Sequence, residues 1–363
     1  MKFLLACGGT GGHIFPALAV AEEIKKREKN AGNILFVGSD TGMEKKIIRK
    51  NKFRYKEVPA RPMVRRITAA NILNFFMVVA AVFKAKKIIK EFSPDVVFGT
   101  GGFVSFPVVF AAALMKKPTG IYEPNISPGL ANRWLAGFVK FIAAGTEETA
   151  AFFPGGKTRV TGNPVRKSLL KRKKADSKKK FGLSESKKIL LIMPGSRAAV
   201  KINSVVIDAL KRINGEMNKL QLLWMCGEKD FHKVSLAVKR AGADAKVMKF
   251  IDDAGAAYAA CDAAVLRAGA GTLAEISSLG VPSVLVPYPY ATGGHQEKNA
   301  AAFAGRGAAI VVRDSGLNSA VLLAAVKKAL VPQNRAKLIK NLAKMRKGDG
   351  AKNIADALYG SVS

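Results

Sequence analysis

Short apolar runs alternate along this chain with stretches whose apolar residues fall three or four positions apart, the first pattern that of buried strands and the second that of helices. Runs at 3–7, 33–37, 95–98, 119–122 and 141–144 read as strands in the first half. Those at 188–193, 221–226, 245–250, 263–266, 283–286 and 308–312 repeat the scheme in the second. Between them, segments such as 14–27 place Ile14, Leu18, Ala21 and Ile24 near helical spacing. Regular alternation of this kind predicts parallel sheets with helices on both faces. The rhythm breaks at Gly162-Asn163-Pro164, a turn tripeptide followed by a lysine-rich stretch. At 363 residues the chain exceeds the usual size of a single core. The expected fold is α/β: two Rossmann-like domains facing across a cleft, with residues 1–163 in the first and 164–346 in the second. The helical segment 347–363 is expected to return to the first domain.

Candidate chemistry gathers where the strands end. The first strand runs into Gly8-Gly9-Thr10-Gly11-Gly12-His13, and the strand at 95–98 into Gly99-Thr100-Gly101-Gly102-Phe103. Glycines there leave the backbone open and permit positive φ, so that successive N–H groups can converge on an anion at a helix N-terminus. Two such loops at one edge of a parallel sheet suit a diphosphate, and open α/β sheets bind ligands at that edge. Close packing of a helix on its strand would demand the same glycines in the second loop. His13 closes the first loop and is one of three histidines in the chain; it is the candidate for proton transfer or for clamping a phosphate.

The second half carries its own set. Pro194-Gly195-Ser196-Arg197 is another phosphate-type turn, and Arg267-Ala268-Gly269-Ala270-Gly271-Thr272 opens a helix containing Leu273 and Glu275. A carboxylate one turn into such a helix can accept from both hydroxyls of a ribose; a glutamate there also answers the helix dipole. His295, Gln296 and Asn299 follow a Pro/Gly-rich loop, placed to read sugar hydroxyls or to cap a helix.

Charge then narrows the partners. Lys and Arg number 60 against 26 Asp and Glu, a net +34. The densest cluster, Lys171-Arg172-Lys173-Lys174 with Lys178-Lys179-Lys180, has no interleaved aromatics, and no nucleic-acid-binding motif accompanies it. An anionic membrane surface fits better than nucleic acid. Phe75, Phe76, Val79 and Phe83 crowd an apolar stretch too short to span a bilayer, with Arg61, Arg65 and Arg66 before it and Lys84, Lys86, Lys87 and Lys90 after. That stretch suits an interfacial anchor and equally a buried core helix. The three cysteines, Cys7, Cys226 and Cys261, sit among apolar or small residues and indicate reduced thiols in the cytoplasm, with neither a disulfide frame nor a metal site. No export signal is evident at the N-terminus.

Taken together, the segments 8–21, 94–107, Glu123 to Asn125, Gly162 to Arg166, Phe250 to Asp253, 268–276 and 295–300 resemble, in order and spacing, glycosyltransferase family 28 and its peptidoglycan enzymes. The resemblance runs along essentially the whole chain. It implies the glycosyltransferase B fold and an inverting transfer of N-acetylglucosamine from UDP-GlcNAc to the C4 hydroxyl of undecaprenyl-diphospho-N-acetylmuramoyl-pentapeptide (lipid I), giving lipid II at the cytoplasmic face of the membrane. No cofactor or metal is implied. By the same resemblance Thr10, Gly11 and Gly12 with Asn125 and Arg166 line the site, Ser196 approaches the donor diphosphate and Ile251 offers backbone to the uracil. Glu275 then takes the ribose and Gln296 contacts the sugar. Glu123 joins His13 as a candidate base. The chain departs from the family at Tyr122, usually His, at Arg197 and at Ala268, usually Ser. A turn like Pro194 to Arg197 is found in lipid A disaccharide synthase. Other lipid-acceptor sugar transferases, acting on diacylglycerol or on lipid A precursors, are the nearest alternative. UDP-GlcNAc epimerases share the fold.

Overall fold

The computed structural model describes residues 1–61, 69–195 and 200–362, with side chains from Phe76 onward in the helix that opens at Ala69. The chain divides into two compact units, Met1–Arg166 with Lys347–Ser363, and Lys167–Arg346. The break comes at Arg166 instead of at 163 because the turn tripeptide is locked into the first unit. Gly162 adopts φ +77°, and a Cβ there would lie 2.8 Å from the Lys347 carbonyl; one on Gly350 would lie 2.7 Å from the backbone of Asn163.

Among the described residues the first unit carries a seven-stranded parallel sheet. Its strands are β1 (Phe3–Ala6), β2 (Ile34–Ser39), β3 (Arg54–Val58), β4 (Val96–Gly99), β5 (Thr119–Glu123), β6 (Phe141–Ala144) and β7 (Thr158–Val160), in the order β3-β2-β1-β4-β5-β6-β7. Helices α1 (Gly11–Glu28), α2 (Glu44–Lys50), α3 (Ala69–Phe92) and α4 (Ser105–Leu114) follow β1, β2, β3 and β4. The strand order reverses between β1 and β4, which pair directly with Ala6 opposite Gly99. Both glycine loops therefore leave the sheet side by side, at the switch point where such sheets take ligands.

The two edge strands were not expected from the sequence. In β3 the residues Arg54, Tyr55, Lys56 and Glu57 break any apolar run, yet the strand pairs with β2 along its length. Charged side chains on an edge strand block further pairing, which explains its polar composition. Strand β7 is short and mostly exposed.

The C-terminal helix Gly350–Gly360 packs on α1, burying Ile354, Ala355 and Leu358 in the core that holds Ile14, Leu18 and Ile24. Burial of Ile354 and of Leu358 contributes about 1.5–3 kcal/mol each. Arg27 pairs with Asp356 at 2.7 Å, and Tyr359 stacks edge-on to Phe3 at 5.2 Å.

The second unit holds a six-stranded parallel sheet ordered β10-β9-β8-β11-β12-β13, again among the described residues. Its strands are β8 (Lys188–Met193), β9 (Leu220–Met225), β10 (Ala245–Met248), β11 (Ala263–Leu266), β12 (Ser283–Leu285) and β13 (Ile310–Val311). Trp224 on β9 is fully buried and donates its indole N–H to Asn203 Oδ1 at 3.0 Å.

Candidate active site

The two loops of the first unit interlock. His13, half-buried in the first turn of α1, presents Nδ1 to the Thr100 carbonyl at 3.0 Å, and the Thr100 hydroxyl donates to the His13 carbonyl at 2.8 Å. A carbonyl can only accept, so Nδ1 carries the proton and the lone pair of the neutral ring resides on Nε2. The approach needs glycine: a Cβ on Gly101, at φ +97°, would lie 2.7 Å from His13 Nδ1, and one on Gly102 would lie 2.4 Å from the Gly8 carbonyl.

This packing corrects the expectation that both loops cradle a diphosphate. Gly8, Gly99, Thr100 and Gly101 are buried. Thr100 spends its N–H on the Ala6 carbonyl at 3.0 Å, and Gly101 spends its own on Ser105 Oγ at 3.0 Å. A ligand has no access to those groups. Thr100 and Gly101 of the second loop form a platform that holds His13, while Gly102 is partly exposed. Thr10 and Gly12 are exposed and Gly9 and Gly11 partly so, at the N-terminus of α1 where first-turn N–H groups have no acceptor within the helix. Ser105, invisible as a site residue in the sequence, ties the platform together from the first position of α4.

Glu123 is also corrected. It is 2% exposed, and each oxygen accepts two hydrogen bonds: Oε1 from the Asn125 N–H and Nδ2, both at 3.1 Å, and Oε2 from the Gly129 N–H and Asn132 Nδ2, both at 2.9 Å. A carboxylate offers about four lone-pair positions, and with four donors on them Glu123 organises its loop instead of facing a ligand. Asn125 is held in that loop, its carbonyl accepting from Thr149 Oγ1 at 2.9 Å. Tyr122, at the position that departs from the family, is buried and donates its hydroxyl to Asn163 Oδ1 at 2.6 Å. It braces the turn at 162–164.

Arg166, the last residue of the unit's first segment, stacks its guanidinium 4.6 Å above the Phe15 ring in α1, with Nε buried and lacking a hydrogen-bond partner. Burial raises the carboxyl pKa of nearby Glu22, while the Arg166 charge opposes the shift.

In the second unit, Gly269 caps the helix Ala270–Leu279, which carries Gly271 and Thr272, both partly exposed, on its first turn. Ala270 and Leu273 pack into the core and offer a ligand only backbone. Glu275 is half-buried and accepts from the Tyr258 hydroxyl at 3.0 Å. Asn299 is corrected from a sugar reader to a brace: it is 3% exposed and donates to the Ala268 carbonyl behind the glycine turn. Gln296 uses Oε1 to accept from the Tyr288 N–H at 3.0 Å, and His295 Nδ1 contacts the Thr292 carbonyl. Ile251 is 4% exposed, so its contribution to a ligand would be through backbone. Ser196 and Arg197 lie outside the described residues.

Of the anchor residues, Phe76 and Phe83 are 63% and 67% exposed and Val79 39%, so this face of α3 is not core. The side chain of Phe75 lies outside the described set. A second exposed group was not anticipated. Leu130, Trp134, Phe138 and Phe152 are all more than half exposed, Phe138 stands edge-on to Phe110 at 5.3 Å, and Arg133 lies 5.7 Å over Phe152. Leu130 and Trp134 lie one turn apart on the short helix Leu130–Leu135, while Phe138 and Phe152 stand in separate turns, so no single periodic run joins them. No helix among the described residues is long and apolar enough to cross a membrane.

Comparison with known proteins bears on both units. The glycosyltransferase family 28 N-terminal domain matches residues 3–144, and the C-terminal domain of the same family matches residues 189–358. The chain is 39% identical over 359 residues to the UDP-N-acetylglucosamine–N-acetylmuramyl-(pentapeptide) pyrophosphoryl-undecaprenol N-acetylglucosamine transferase of Halothermothrix orenii, covering 96% of this chain and 95% of that protein. The Bacillus subtilis protein of the same name is 37% identical, with 99% and 98% covered. The crystal structure of Acinetobacter baumannii MurG superposes with a TM-score of 0.76 at 26% identity, over 99% of this chain and 100% of that one.

Proposed function

This chain belongs to glycosyltransferase family 28, and from that membership we infer the reaction and the parts its residues play. It is an inverting hexosyltransferase with two parallel-sheet α/β units of the glycosyltransferase B type. It moves N-acetylglucosamine from UDP-GlcNAc to the C4 hydroxyl of lipid I, giving lipid II for peptidoglycan synthesis. The acceptor oxygen bonds to the anomeric carbon as the bond from that carbon to the UDP oxygen breaks. UDP leaves with the electron pair, and a base takes the hydroxyl proton.

That base is His13. The observation that carries the assignment is the 3.0 Å contact of Nδ1 with the Thr100 carbonyl, which orients the ring and puts the lone pair on Nε2. With Glu123 saturated by its own loop, His13 is the better of the two candidates. The exposed segment from Thr10 to Gly12 offers the α1 N-terminus to the acceptor diphosphate. The donor is held in the second unit, with its ribose on Glu275 and its pyrophosphate at the helix Ala270–Leu279.

Membrane attachment is peripheral, at the cytoplasmic face. Phe76, Val79 and Phe83 supply one apolar contact, and Leu130, Trp134, Phe138 and Phe152 a second. Both belong to the same layer, because α4 packs against α3 and against the helix Leu130–Leu135. Cations stand beside each, Lys86 over the Phe83 ring at 5.9 Å and Arg133 over Phe152, and the +34 net charge favours anionic lipid.

Transfer of label from UDP-GlcNAc is the direct test, with a lipid I analogue and diacylglycerol offered in parallel. Product with the lipid I analogue alone is expected. Product with diacylglycerol alone would overturn the acceptor assignment.

A further inference from the structure

We propose that Tyr258 is a positioning residue for the donor nucleoside, holding the Glu275 carboxylate in the orientation that receives the ribose hydroxyls. This rests on the reading of Glu275 as the ribose acceptor. Tyr258 is 2% exposed, and its hydroxyl donates to Glu275 Oε2 at 3.0 Å. Burial, with the Glu275 charge beside it, pushes the phenol well above its usual range, so the group stays a neutral O–H donor.

A buried tyrosine needs an acceptor for its hydroxyl, and a backbone carbonyl would serve. Here the acceptor is instead a half-buried carboxylate on a neighbouring helix, a group that water could otherwise solvate. The bond fixes the last torsion of the glutamate. A carboxylate has about four lone-pair positions, so the donor from Tyr258 orients the group without filling it. An acceptor already held in place loses less rotational freedom when the ligand arrives.

Tyr258 is itself firmly placed. It sits on the short helix Ala254–Ala260, whose Ala256 N–H is capped by Asp253 Oδ1 at 3.0 Å. Asp253 is in turn pinned by Lys180 at 2.6 Å and Arg172 at 2.9 Å. A Cβ on Gly255 would meet Leu169 Cα at 2.8 Å, so the helix lies close against its neighbour. Ile251 enters this helix from upstream. The same rigid turn thus joins the residue that resemblance assigns to the uracil with the one that orients the ribose acceptor.

The test compares full-length Tyr258→Phe, Glu275→Ala and the double variant by calorimetric titration with UDP and with 2′-deoxy-UDP. Tyr258→Phe is expected to weaken UDP binding by about five- to tenfold, less than direct loss of a hydrogen bond to a charged group, because the effect reaches the ligand through Glu275. Its effect on 2′-deoxy-UDP is expected to be smaller. The donor KM should rise with kcat retained, and the double variant should bind UDP no more weakly than Glu275→Ala. Wild-type UDP affinity in Tyr258→Phe, beside a weakened Glu275→Ala, would overturn the positioning role alone. So would a loss that adds in full to that of Glu275→Ala. If Glu275→Ala itself binds UDP normally, the ribose reading falls and this proposal with it.

Discussion

Nδ1 of His13 donates to the backbone carbonyl of Thr100, which lies 87 residues further along the chain, at 3.0 Å. The bond joins the two glycine loops and selects one tautomer. Like the carboxylate of a hydrolytic triad it orients the ring, but unlike that carboxylate it adds no charge. The proposed base and the group that orients it therefore come from different βα turns, brought together by the pairing of β1 with β4.

His13→Ala is expected to lower kcat by about 10²-fold or more, the range of acid–base groups. Affinity for UDP should hardly change if, as proposed, the donor is held by the other unit. His13→Gln keeps a hydrogen bond but cannot take the proton, and should be equally slow. Steady-state kinetics with UDP titration separate the two effects; a kcat within a few-fold of wild type would make His13 structural.

Gly101→Ala tests the platform. The added methyl would lie 2.7 Å from His13 Nδ1, on a residue at φ +97°. Backbone strain of this kind costs about 1–3 kcal/mol, and the ring must move besides. A lower melting temperature with a kcat loss out of proportion to it is expected. Full activity would show that ring placement is not critical.

Glu123→Gln places an amide NH2 where an oxygen now accepts two N–H groups. A loss of about 1–3 kcal/mol in denaturant unfolding is expected, from donors left facing a donor. The folded fraction should keep kcat within a few-fold. A 10²-fold loss of kcat at unchanged stability, a figure typical of a lost acid–base group, would return Glu123 to the chemistry.

Membrane contact can be read from tryptophan emission without labelling. Of the two tryptophans, Trp224 is fully buried and Trp134 is 63% exposed. Vesicles containing anionic lipid should shift the emission to the blue, and raised salt should reverse the shift through screening. Replacing Phe76 and Phe83 by Ser should weaken vesicle binding and leave UDP binding intact. An unaltered spectrum on bound vesicles would exclude the Trp134 face from the contact.

Much of this was legible in the chain itself. Strand–helix alternation, the glycine loops after 3–7 and 95–98, and the motifs shared with family 28 are local patterns that survive without coordinates, because backbone periodicity and turn stereochemistry act over a few residues. The polar edge strand β3 was not legible, since Arg54 to Glu57 become a strand only by pairing with β2. Nor were the hydrogen-bond partners. Glycine identity allowed Thr100 and Gly101 to bind an anion; the register of β1 against β4 spends the Thr100 N–H on Ala6, and a local turn spends that of Gly101 on Ser105. Glu123 and Asn299 looked like ligand groups by type, and became braces once burial aimed their polar atoms at nearby backbone. Residue type and local spacing set what each group is able to do; which of those bonds it makes depends on long-range pairing and on exclusion of water, and these exist only in the folded chain.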